Sequence, residues 1–108
     1  MAKPLVRTVK LNGVQYNANR DPQVYRRVAG EAFRLEALLE GSGNAQCEVR
    51  DEQGGILAAG TLARPGRFSC ELNFTQPGTR LVTLRVTGGD EQYAQTLRLD
   101  LMAHARIG

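Results

Sequence analysis

Apolar side chains recur at every second position through most of the chain. Ala45, Cys47 and Val49 alternate with Gln46, Glu48 and Arg50, and Phe68, Cys70, Leu72 and Phe74 alternate with Ser69, Glu71 and Asn73. Val82, Leu84 and Val86 alternate with Thr83, Arg85 and Thr87, and Leu97, Leu99 and Leu101 with Arg98 and Asp100. Successive side chains of a strand point to opposite faces, so each segment predicts a strand with one face on a core. Val82 to Val86 and Leu97 to Leu101 flank Gly88-Gly89-Asp90 and read as a hairpin. Ile56 to Leu62 is less regular, but it follows Gly54-Gly55 and reads as the return strand from residues 45–49. Near the start, Val9 and Leu11 precede Asn12-Gly13, a type I′ signature, and Val14 and Tyr16 follow. This stretch is either a small hairpin or one kinked first strand.

Turn signals punctuate the chain roughly every ten to twelve residues from residue 41: Gly41-Ser42-Gly43-Asn44, Asp51-Glu52-Gln53-Gly54-Gly55, Arg64-Pro65-Gly66, Gln76-Pro77-Gly78 and Thr87-Gly88-Gly89-Asp90. Glycine supplies positive φ and proline presets its own, so these clusters predict chain reversals between short strands. Residues 21–40 carry two patterns. Asp21-Pro22 fits a helix start, with Val24, Val28, Ala32, Leu35 and Leu39 at helical spacing and Gly41 as a cap. Against the helix, Gly30 would sit mid-helix at a cost of about 1 kcal/mol. Phe33, Leu35, Ala37 and Leu39 also alternate with Arg34, Glu36 and Glu40. The strand reading is preferred and gives about seven strands in all; the competing fold is α+β with a helix at about 21–40.

Seven short strands in about 100 residues suit a two-sheet antiparallel sandwich. The stretch Val28-Ala29-Gly30-Glu31-Ala32-Phe33-Arg34-Leu35 resembles the opening of the second strand in bacterial immunoglobulin-like domains of the E-set type. Pro65-Gly66-Arg67-Phe68 and Pro77-Gly78 with the strand from Thr79 to Val86 are similar to the turns leading into their later strands. No tryptophan, paired strand cysteines or corner tyrosine marks an antibody-type domain. The resemblance implies the wider bacterial group of accessory, adhesion and docking sandwiches.

At 108 residues the chain predicts one sandwich domain, and its apolar (42%) and charged (23%) fractions are those of an ordinary globule. No apolar run is long enough to span a membrane, and no signal peptide opens the chain, which favours the cytoplasm. On that ground Cys47 and Cys70 are expected as buried thiols in preference to a cross-sheet disulfide. The formal charge of +3 is unevenly placed: residues 1–27 hold six basic side chains against Asp21 alone, and the rest hold eight arginines against ten acids.

Few side chains in the sequence are arranged for chemistry. His104 is the single histidine, four residues from the end, and Ser42 and Ser69 sit in no nucleophile-elbow pattern. Asp51-Glu52 and Asp90-Glu91 are turn carboxylates without the repeat of oxygens a Ca²⁺ site needs. Two cysteines 23 apart make no zinc or copper cluster, and no phosphate loop is present. The sequence therefore predicts no enzyme, no cofactor and no metal, and a non-catalytic interaction or accessory domain that binds a protein partner through a sheet edge, face or loop end. The candidate contact residues are Arg20, Tyr25, Arg26 and Arg27 in the basic N-terminal segment. These arginines with Tyr16 and Tyr25 also support a less favoured reading, a basic nucleic-acid-binding module. A carbohydrate-binding module is disfavoured by the lack of tryptophan.

Overall fold

The computed structural model describes residues 4–21 and 25–103, and this part of the chain contains seven strands and no α-helix. They are β1 (Val6–Leu11), β2 (Val14–Gln15), β3 (Arg27–Val28), β4 (Phe33–Arg50), β5 (Ile56–Leu72), β6 (Gly78–Gly88) and β7 (Glu91–Met102). The all-β expectation holds, and the helix at 21–40 is overturned. Phe33, Leu35, Ala37 and Leu39 are buried on one face of β4, whose backbone pairs with β1 on one side and β5 on the other. A helix there would satisfy only its own backbone, whereas the strand joins two ladders and buries one apolar face. Pro22 and Val24, part of the helical pattern, lie outside the described residues.

Asn12-Gly13 makes a true hairpin between β1 and β2. Asn12 (φ 55°) and Gly13 (φ 82°) both occupy the left-handed region that a type I′ turn requires. Asn12 has a second use. Its Oδ1 accepts the Arg34 N–H at 2.9 Å, and its Nδ2 donates to the Tyr25 carbonyl at 2.8 Å, tying the turn to β4 and to the segment before β3.

The hydrogen-bonded order is β2-β1-β4-β6-β7-β3, with β5 on the other side of β4. β4 is the spine: β1 lies along its first half, β6 along its second, and β5 along both. Two of the expected reversals are therefore bends inside long strands. Gly41 to Asn44 lies within β4 and Arg64 to Gly66 within β5, where the register passes from Leu39↔Gly66 to Gly43↔Arg64. The extra residues on β4 form a bulge, which bends the strand and increases its twist. A straight 18-residue strand would reach about 60 Å, but the molecule measures 50 × 26 × 18 Å. Gly60 and Phe68 would be about 27 Å apart in a straight β5, yet a Cβ on Gly60 would lie 3.4 Å from a Phe68 ring carbon.

The sheet thus curls on itself as a half-barrel and encloses its core between the two halves of the spine. Leu11, Phe33, Leu35 and Ala37 come from one half, and Cys47, Val49, Val82, Leu84, Val86, Leu97 and Leu99 from the other. No polar or charged residue is fully buried among the described residues.

Candidate interaction surface

The residues of the basic segment expected to make contacts differ in burial. Arg20 is exposed in a turn whose backbone N–H donates to the Asn17 carbonyl at 3.0 Å. Tyr25 is only 1% exposed: its hydroxyl donates to the Gln15 carbonyl (2.9 Å) and accepts the Asn17 N–H (3.0 Å). Tyr25 is therefore a core residue and is not presented to a partner. Its ring packs at 5.2 Å on that of half-buried Tyr16, whose hydroxyl accepts the Arg98 N–H, so neither tyrosine is a free platform for a base. Arg26 and Arg27 are half-buried; Arg26 Nη1 lies 3.5 Å from Met102 Sδ, and Arg27 Nη1 donates to the Arg26 carbonyl at 3.4 Å.

The open clefts carry mixed charge. One of about 280 Å³ is lined by Asn12, Arg27, Arg34, Glu36 and Glu71, with Arg34 and Glu71 4.0 Å apart. Another of about 530 Å³, at the bend of β4 and β5, holds Arg7 and Arg67 beside Glu40, with Arg7 3.4 Å from Glu40 and Arg67 3.5 Å from Glu36. Exposed ion pairs of this kind add about 0–1 kcal/mol each to stability. Among the described residues no three His, Cys, Asp or Glu side chains cluster to hold a metal, and no helix is long and apolar enough to cross a membrane. Asp51 serves the fold, since its Oδ1 accepts the N–H groups of Gln53 (2.9 Å) and Gly55 (2.8 Å) and so closes the β4–β5 turn. His104 lies outside the described residues.

The feature that stands out is the free edge of β5. β5 pairs with β4 alone, so alternate backbone groups from Ile56 to Leu72 face outward, and among the described residues no hydrogen bond takes them. Leu57, Ala59, Thr61 and Ala63 are exposed on one face of its first half, and Ile56 is 57% exposed beside them. From Ile56 to Ala63 the strand has no charge and no proline. The other margins differ: β2 and β3 have two residues each, and the open part of β7 is polar, with Glu91, Gln92, Gln95 and Thr96. Sequence reading missed this edge because strand order is not written in any local pattern.

Where β4 and β5 bend, Arg64 runs across the sheet over bare backbone. A Cβ would stand 3.1 Å from its guanidinium at Gly41, 3.7 Å at Gly43 and 2.8 Å at Gly88, so the three glycines form the channel the side chain lies in. Its Nε is buried without a hydrogen-bond partner. An unsatisfied buried donor costs about 1–3 kcal/mol. Arg64→Met, which keeps the packing stem and removes the donor, is expected to match the parent's stability or exceed it by about 1 kcal/mol in chemical denaturation. A loss of about 2 kcal/mol would show that the guanidinium itself stabilises the bend.

Both cysteines are free thiols on inner faces, Cys47 opposite Gly60 and Cys70 opposite Leu35. Burial pushes each up to about 11, and the neighbouring Cys47 adds to the rise at Cys70. Thiols held protonated in this way are poor nucleophiles and fit a packing role.

No protein-family description and no curated protein matches the chain.

Proposed function

We propose that this chain is a non-catalytic, immunoglobulin-like sandwich domain that binds a protein partner by accepting an added strand along β5. The observation that carries this reading is the open, uncharged edge from Ile56 to Ala63. Natural edge strands are guarded by charge, proline, bulges or brevity, because unpaired N–H and C=O groups template pairing with another chain. An unguarded edge on an otherwise guarded sheet fits a docking strand, in which main-chain hydrogen bonds give affinity and alternate side chains give specificity. The sandwich assignment is supported by the folded-back spine, which sets two inner faces against each other, and by the antiparallel hairpins.

Surface-displayed peptides of roughly eight to ten residues, long enough to pair with Ile56 to Arg64, test this reading. Peptides selected by the parent are expected to be extended and apolar on alternate positions. Their capture should fall at least tenfold with Ala59→Lys/Thr61→Lys and change little between low and moderate salt. Capture that survives this variant but falls when Arg20, Arg26 and Arg27 are replaced by Ala would instead place the contact in the basic segment.

A further inference from the structure

We infer that the strand completing β5 is the β5 of a second copy of this chain, paired antiparallel from Ile56 to Arg64 about a two-fold axis at Gly60. The inference rests on β5 being the docking edge and names its occupant.

Three features of the strand favour its own copy. The first is shape. A two-fold axis perpendicular to a sheet keeps each side chain on its own face, so positions of equal parity meet. Centred on Gly60, the pairing sets Leu57 opposite Ala63 and Ala59 opposite Thr61 on the exposed face, and Ala58 opposite Leu62 on the inner one. At the axis Gly60 meets itself, so no side chain crowds the closest approach. Directly opposed residues in an antiparallel pair stand only about 4.5–5.5 Å apart, and small or mixed-size pairs fit that spacing.

The second feature is charge. The paired stretch from Ile56 to Ala63 carries no charged side chain, so antiparallel pairing with a second copy sets no like charges opposite one another.

The third feature is closure. The other long open margin, on β7, is polar and carries Glu91. Pairing β5 with the β7 of the next molecule would face an apolar strand with a polar one and leave a free edge at each end, so the assembly would grow. Isologous pairing of β5 with β5 covers both apolar edges and stops at two.

Light scattering across a concentration series tests the assembly with the full chain. The parent is expected to rise from the 11.8 kDa monomer to twice that mass and no further. Ala59→Lys/Thr61→Lys sets lysines directly opposite one another twice across the axis. It is expected to raise the dissociation constant at least tenfold while far-ultraviolet dichroism and Tm stay near the parent's.

A second readout makes no use of charge. A spin label on Thr61→Cys in the Cys47→Ala/Cys70→Ala background is expected to show a partner label at a distance on the order of 10 Å that vanishes on dilution. A mass that stays at 11.8 kDa into the millimolar range overturns the second copy. So does a dimer that survives the lysine variant with no dipolar signal at position 61, and so does growth beyond two copies. A monomer that still captures displayed strands at β5 would remove the self-pairing and keep strand addition; one that captures none would remove both.

Discussion

Gly66→Ala is expected to destabilise the protein by roughly 2–3 kcal/mol and to lower Tm by roughly 10–20 °C. The reason is the bend in β5. A Cβ at Gly66 would stand 2.7 Å from the Ala63 carbonyl oxygen and 2.8 Å from Leu62 Cδ1. The oxygen belongs to backbone and cannot swing aside, so relief requires the bend to open. Opening it moves the second half of β5 away from the first and loosens the packing of Phe68 beside Gly60. Gly88→Ala is the matched control, because its Cβ meets the Arg64 guanidinium, the far end of a flexible side chain. It should cost about 1 kcal/mol, and less when combined with Arg64→Met. Equal losses at Gly66 and Gly88, measured by denaturant titration, would show that the bend does not depend on the bare backbone at Gly66.

Raising the pH from 8 to 10.5 is expected to cost the parent roughly 2–4 kcal/mol more than it costs Cys47→Ala/Cys70→Ala. Both thiols are raised in the fold from an ordinary value of 9.0 to about 11, by burial first and, for Cys70, by its neighbour second. Below pH 9 the thiols are protonated in both folded and unfolded chains, and the stability they contribute is fully present. Between 9 and 11 the unfolded chain releases protons that the folded chain retains, so stability falls as pH rises. Tyr93, also raised by burial, adds to the loss at the alkaline end of the range in parent and variant alike. Cys70 is partly accessible, which places its share at the lower end of the figure. The same shifts predict that iodoacetamide alkylates the folded protein about 100-fold more slowly at pH 8 than the unfolded chain, from thiolate fraction alone. Parent and variant showing one common alkaline slope would overturn the assignment.

The strands were legible because alternation is a local property. Phe68, Leu72, Val82, Leu84, Leu97 and Leu99 fall on the buried faces that the period of two assigns them. The Asn12-Gly13 hairpin was legible for a similar reason, since left-handed backbone at two successive residues needs particular residue types. The balance between helix and strand over 21–40 was not local. Leu35 and Leu39 fit both periods, and the strand won because β1 and β5 offer hydrogen bonds to both edges of β4. Tyr25 misled for a related reason: among arginines it reads as a surface aromatic, yet its hydroxyl finds Gln15 and Asn17 once β2 is in place.

By itself the sequence determined that this chain makes β-strands, which side chains face the core, and where the backbone must turn or yield. Only the tertiary structure decided that Gly41 to Asn44 and Arg64 to Gly66 bend two long strands where the same residues could have reversed the chain, since the outcome depends on whether the segments on either side keep their pairing partner. It alone decided that β5 ends the sheet, with an uncharged stretch from Ile56 to Ala63 along its open edge. A residue's face is set by its own backbone period, but the strand beside it is set by contacts between segments distant along the chain, where loop-closure entropy and burial are balanced over the whole fold.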